Sequence, residues 1–180
     1  AYLHPKVFSA NRSIKSKYIK SNRPYVIIRF AKLKAHHDKN VRGIDFELAE
    51  ELIEIIKKDH DIYITSEIKL PENIEKYRLL IDPIDLHHVM AYARLYVGDS
   101  QTMAAESGVL GVPFIRYNDF VGRIGYLKEL EDDYNLGYGI KPDQPELLIK
   151  TVKRVLNEDA NIYVARKNKF IKDKVNVAEC

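Results

Sequence analysis

Residues 95–116, LYVGDSQTMAAESGVLGVPFIR, constrain this chain more than any other stretch. They read as a buried strand (95–97), a turn (98–100), a helix (101–110), a stop at Gly111 and a second strand (113–116). Gly98 permits the tight turn, and Asp99 or Ser100 can accept hydrogen bonds from the first free N–H groups of the helix. Gly111 is placed for a left-handed C-terminal cap, and Pro113 fits only as the first residue of the next strand. A strand running straight into a helix start leaves free N–H donors and partial positive charge above the carboxyl edge of a sheet, which suits a phosphate. Ser100, Gln101 and Thr102 are small or neutral donors there. Glu106 lies one turn after Thr102 on the same face, where a carboxylate can accept two hydroxyls of a ribose. A purely local reading also fits: Ser100 and Thr102 cap, and Glu106 complements the helix dipole.

Strands and helices alternate along the rest of the chain. Residues 25–30 (YVIIRF) form a near-continuous apolar run, as in a central parallel strand buried on both faces. A polar loop, 31–43, precedes a helix at 44–58, where Phe46, Leu48, Leu52, Ile55 and Ile56 recur at helical spacing. A strand at 61–65 ends in Ser66-Glu67. A short helix (71–77), a short strand (79–81) and a helix from Asp82-Pro83 through Ala93 then lead to the central stretch. Beyond it, helices are expected at 122–130 and 145–156, a weak strand near 138–140 and a basic terminal helix at 160–172. Short connections between alternating elements predict an α/β fold, a doubly wound parallel sheet of Rossmann-like type with helices on both faces. Its ligand crevice belongs at the carboxyl ends of the strands, near the point where strand order reverses.

A chain of 180 residues, 46% hydrophobic and 31% charged, suits one domain with a sizeable core. The expected division is a linker or lead-in (1–23), a ligand-binding domain (24–157) and a C-terminal helix and tail (158–180). The basic, weakly patterned lead-in and the start at Ala1 favour a fragment of a longer protein. A net charge of +3 is too small to argue for nucleic acid, and the basic runs 15–23 and 166–174 read as solvated faces. The lone cysteine, Cys180, excludes an internal disulfide, and no run approaches a membrane span, so a cytoplasmic address is the default. The sequence leaves oligomeric state open.

Four polar constellations fall at strand carboxyl ends: Arg29 onward, Ser66-Glu67, residues 99–102, and Tyr117-Asn118-Asp119. Arg29 can direct its guanidinium at a diphosphate or pair with an acid such as Glu67. His36-His37-Asp38 lacks the spaced third ligand of a metal site. Either histidine could instead reach a ligand phosphate or serve as an acid/base near neutral pH. Of His87 and His88, one is expected to be exposed and the other to touch what lies over the strand ends. The chain has no GxGxxG, GxxxxGK[ST] or GxSxG, so dehydrogenase, P-loop and α/β-hydrolase readings are poor.

The segment GDSQTMAAESGVLGVPFIR resembles the sugar-nucleotide-binding segment in the C-terminal half of GT-B proteins, particularly UDP-N-acetylglucosamine 2-epimerase and its relatives. A closer resemblance is to an uncharacterised prokaryotic family of epimerase-like proteins. In that family a lead-in like AYLHP, a strand like YVIIRF, a loop like KLKAHHDKN, a TSE and a GD–TMA-E segment follow in this order. The resemblance implies a sheet of GT-B C-terminal-domain type, with a UDP-linked sugar held as substrate between this domain and a missing N-terminal Rossmann-like domain. It places Ser100, Gln101 and Thr102 on the diphosphate, Glu106 on the ribose, Arg29 as the basic residue after the first strand, and 81–84 against the base through backbone groups. Ser66, Glu67 and Asn118 complete the candidate binding residues. No metal and no separate cofactor is implied. The epimerase pattern has Ser-Gly-Gly where this chain has Ser100-Gln101-Thr102, and its His-Arg-Arg-Glu-Asn is not reproduced after Arg29. The expected function is the nucleotide-sugar-binding half of a glycosyltransferase that binds without turnover on its own. The alternatives are an epimerase-like enzyme or a non-catalytic nucleotide-binding module.

Overall fold

The computed structural model describes residues 2–30 and 42–178, with side chains to Lys174. Five parallel strands make one sheet: β1 (Tyr25–Phe30), β2 (Asp61–Ser66), β3 (Leu95–Gly98), β4 (Phe114–Tyr117) and β5 (Gly137–Ile140), in the order β2-β1-β3-β4-β5. Helices surround it: α1 (Arg12–Tyr18), α2 (Phe46–Ile56), α3 (Glu72–Glu75), α4 (Leu86–Met90), α5 (Gln101–Val109), α6 (Gly125–Lys128), α7 (Pro145–Asn157) and α8 (Asn161–Ala178). This is the doubly wound α/β sheet that the alternation predicts.

Strand side chains alternate between two cores. Val26, Ile28, Leu95, Val97 and Ile115 pack on one face with Leu48, Leu52 and Ile56 of α2 and Leu148, Val152 and Val155 of α7. Tyr25, Ile27, Tyr96 and Phe114 pack on the other with Val89 and Met90 of α4, Met103 and Ala104 of α5, and Leu127. Because both faces of β1 are covered, Val26, Ile27 and Ile28 are all fully buried. The apolar run in the sequence has this physical origin. Asp45 caps α2, accepting from Leu48 N at 2.8 Å. Gly111 ends α5 at φ +83°, the left-handed conformation expected of it.

Four local expectations are corrected. The lead-in is not irregular throughout: Asn11 accepts from the N–H groups of Ser13 and Ile14 and starts α1, and Leu3 and Ile19 are buried against the domain. Residues 79–81 form no strand. A single parallel bridge joins Ile64 to Arg78, and the chain then turns where Asp82 accepts from Ile84 N. Helix α4 ends at Met90 instead of continuing to Ala93, because Tyr92 and Ala93 bond back three residues and Arg94 N already bonds Tyr25 O to open β3. The helix expected over 122–130 is only α6, followed by a π-helical turn, Glu129–Asp133, that carries Glu131 inward.

Strand order locates the crevice. From β1 the chain steps to β2 on one side, then returns to place β3 on the other and continues outward to β4 and β5. The order therefore reverses between β1 and β3, and their carboxyl ends are the place for a ligand.

Candidate functional site

At that switch point Arg29 and Gly98 are direct partners. They belong to a register row, Thr65–Arg29–Gly98–Arg116–Gly139, crossing all five strands at their carboxyl ends. Alternation puts the row on the Tyr96 and Phe114 face, which α5 covers. A Cβ at Gly98 would stand 2.9 Å from Arg29 Cβ and its carbonyl oxygen, and 2.6 Å from Tyr96 Oη. Only glycine lets β3 end there. The Tyr96 hydroxyl donates to Ser100 O at 3.3 Å. Burial pushes its pKa up, with the Asp99 charge adding and Arg29 opposing.

Ser100 opens α5, its hydroxyl accepting from Met103 N at 3.4 Å. No carbonyl within the helix can reach the N–H groups of Gln101 and Thr102, which point out of the helix end. The Thr102 side chain is exposed, whereas Gln101 Oε1 is buried without a hydrogen-bond partner. Helix α5 thus brings together the donors named from the sequence, over the ends of β3 and β4.

Glu106 faces the lead-in. Tyr2 donates its hydroxyl to Glu106 Oε1, and His87 Nε2 lies 3.0 Å from Oε2. Asn11 N donates to His88 Nδ1 at 2.9 Å, and Phe8 stacks on His88 with centroids 4.9 Å apart. Both histidines are half-buried, so neither is the exposed one of the pair. Residues 2–11 therefore lie as a strap across α4 and the outer face of α5. Burial pushes the Glu106 pKa up, but hydrogen bonds from His87 and Tyr2 and the attraction of His87 outweigh it, leaving the carboxyl below its usual range. The hydrogen bond to Glu106, then burial, push the Tyr2 pKa up to about 12.

The signs of these shifts bound the strap contact. A lowered carboxyl pKa gives stability above the unfolded carboxylate pKa, lost as pH falls through the folded value. A raised phenol pKa gives stability below the unfolded tyrosine value, lost as pH rises through about 12. The strap is expected to stay closed across neutral pH and to loosen at both extremes. Hydrogen exchange of residues 2–11 against pH checks this: the plateau should be present in the natural chain and absent in Tyr2→Phe.

The other sequence candidates divide. Arg29 pairs with Glu67, one of the two roles open to it, yet its Nε is buried without a partner. Ser66 is used locally, its hydroxyl donating to Ile68 O and accepting from Ile68 N. Asn118 is fully buried. Its amide donates to Asp99 O at 3.0 Å and accepts from Phe120 N at 2.9 Å, so it latches the end of β4 to the turn before α5. His36 and His37 lie outside the described residues. Among the described residues no group of three or more His, Cys, Asp or Glu is placed to hold a metal ion. Among the described residues, too, no helix is long and apolar enough to cross a membrane.

Two participants, Tyr2 and Arg116, escaped the sequence reading, and His87 was foreseen only as one of a pair reaching over the strand ends. Tyr2 and His87 meet Glu106 only through the fold, 104 and 19 residues away in the chain. Arg116 was legible only as the end of a strand, although an arginine in an apolar run, FIRY, is a signal in its own right. The open cleft of about 450 Å³ lined by Arg12, Lys15, Arg23, Tyr25 and Tyr92 lies at the amino-terminal edge of the sheet, away from all of these.

The sequence matches no protein-family model and no curated protein. Solved structures do share the fold. A glycotransferase of kitacinnamycin superposes with a TM-score of 0.55 at 12% identity over 84% of this chain and 40% of its own. The wall teichoic acid polymerase TagF gives 0.57 at 12% identity over 89% and 42%. The Listeria monocytogenes protein named as a putative UDP-N-acetylglucosamine 2-epimerase gives 0.52 at 15% identity over 87% and 45%. This chain spans less than half the length of each. It has a GT-B-like fold and fits the C-terminal half of such proteins.

Proposed function

We propose that this chain is the nucleotide-sugar-binding half of a GT-B glycosyltransferase, holding the diphosphate at the N-terminus of α5. The observation that carries this reading is the convergence at the switch point of that helix end with the Arg29–Gly98 pair. Ser100, Gln101 and Thr102 supply donors to the phosphate oxygens, and Arg29 adds a cation with an unused Nε. Charge on a departing diphosphate is met by fixed dipoles and a guanidinium, without an obligatory metal. Glu106 takes the ribose hydroxyls once Tyr2 leaves it. In this reading residues 81–84 meet the base through backbone groups, with the Ile84 side chain 81% exposed. The acceptor site and any general base belong to an N-terminal Rossmann-like domain that faces this edge. A cytoplasmic address goes with the reading.

Calorimetric titration with UDP, UMP, GDP and ADP tests it. A nucleoside diphosphate is expected to bind best, and Glu106→Ala to weaken it roughly tenfold, the worth of one to two lost hydrogen bonds. Tyr2→Phe is expected to strengthen binding by about threefold, because the competing phenol hydrogen bond is gone. Equal binding by the natural chain and Glu106→Ala would make the ribose assignment wrong. A sugar-nucleotide epimerase is the second reading, favoured by the Listeria structure among the matches. Product analysis of the full-length protein separates the two: transfer requires an acceptor, epimerisation does not, and a binding module shows neither.

A further inference from the structure

Arg116 is the largest fully buried side chain among the described residues, at 0% exposure. Its Nε donates to Glu131 Oε1 at 2.6 Å, but Nη1 and Nη2 have no hydrogen-bond partner. Buried polar groups are almost always satisfied, and charged ones most stringently. A guanidinium held through Nε alone leaves its paired η groups open, and that fork can receive two oxygens of one oxyanion.

The surroundings say which occupant fits. Arg116 is the register partner of Gly98, on the sheet face that α5 packs against, one strand from the turn that opens that helix. Arg29 flanks Gly98 on the other side, with its own Nε unpartnered. Two strand spacings, about 10 Å, separate their backbones, a gap that two arginine side chains can close upon. Thr65 Oγ1, in the same row, is also buried and unpartnered and can donate to an oxyanion. A single water would satisfy some of these groups but needs neither two guanidinium ions nor a helix dipole. An anion uses both.

We propose that Arg116 is a phosphate ligand, the second of an arginine pair astride Gly98 that holds the phosphoryl oxygens under the start of α5. Glu131 holds the guanidinium in place through Nε and balances its charge before the ligand arrives. The Nη atoms are shielded from solvent, and Val121 stands over Gly139 beside Glu131. Ligand entry therefore displaces the turn that carries Val121. The proposal rests on the nucleotide reading for the identity of the ligand, but not for its phosphate chemistry.

The test is titration of the 180-residue chain with UDP and, separately, inorganic pyrophosphate. The variants are the paired substitution Arg116→Leu with Glu131→Leu, which removes both charges together, and Arg116→Lys, which keeps the charge and loses the fork. The natural chain is expected to bind both probes. The folded double variant should bind each at least tenfold more weakly, and Arg116→Lys several-fold more weakly with its thermal midpoint retained. Because the residue acts on phosphate, UDP and pyrophosphate should lose affinity in parallel. If the double variant fails to fold, Arg116→Lys decides. Binding by the folded variants as tight as by the natural chain overturns the proposal and leaves the nucleotide reading standing. Arg116-dependent binding of pyrophosphate without binding of UDP supports this site and overturns the nucleotide reading. Failure of the natural chain to bind either probe overturns both.

Discussion

Glu131→Ala is expected to destabilise the protein by about 3–5 kcal/mol, the range found when one partner of a buried ion pair is removed. Arg116 is fully buried, Glu131 is nearly so, and Nε–Oε1 is the guanidinium's single hydrogen bond. Alanine leaves a cation in the interior with no counter-charge and no remaining acceptor. The paired replacement of Arg116 and Glu131 by leucine is expected to be far milder, since apolar groups of similar volume can replace a buried pair at little net cost. For a chain of this size the single variant should lower the thermal midpoint on the order of 10 °C. Denaturant unfolding of the natural chain and both variants checks this. A single-variant loss below about 1 kcal/mol, the worth of an exposed pair, would show that the pair is not buried in solution.

The second large effect is expected at Ile28, where alanine should cost about 2–5 kcal/mol. Ile28 lies in the middle of β1, hydrogen-bonded to β2 and β3 on its two sides and fully buried in the core under α2 and α7. The surrounding strands cannot collapse into the space left by the lost methyl and methylene groups, so the cavity penalty adds to the transfer term. The measurement is the denaturant midpoint at unchanged m-value. Nucleotide binding by the folded fraction should be unaltered, because Ile28 points away from the face that carries Arg29 and Gly98. A fall in affinity with intact stability would contradict the assignment of faces.

These two positions differ in how they could be foreseen. Ile28 was legible in the chain itself: five apolar residues in the six of YVIIRF demand a strand with both faces covered. The i, i+4, i+8 spacing of Leu48, Leu52 and Ile56 likewise demanded a helix to cover it. Ser100 and Gly111 announced the start and end of the helix by their capping and backbone preferences, and both took up the roles expected. Gly98 is the last residue of β3 instead of the turn, and is a glycine because Arg29 and Tyr96 leave no room for a Cβ. The shorter elements were less legible. Residues 79–81 and α4 carry reasonable local patterns, but the turns at Asp82 and Arg94 interrupt them, and the π-helical turn at 129–133 answers to Glu131's partner and not to helix period.

Glu106 shows the same division inside the site. Its place on α5, one turn after Thr102, follows from helical spacing alone. What it touches does not, because the phenol of Tyr2 and the imidazole of His87 arrive from other elements. Arg29 is similar: the end of β1 was evident, while its pairing with Glu67 required β2 to lie alongside in register.

The sequence by itself determined the local units: which runs become strands, which become helices, and where a helix start would present donors at a strand end. Those properties depend on periodicity, capping and backbone freedom over a few neighbouring residues. Only the tertiary structure decided the strand order that puts the switch point between β1 and β3. It alone laid the lead-in across Glu106 and brought Arg116 beneath α5 with Glu131 as its partner. These contacts join residues far apart in the chain, and their energies come from burial and charge pairing that exist only once the sheet is assembled.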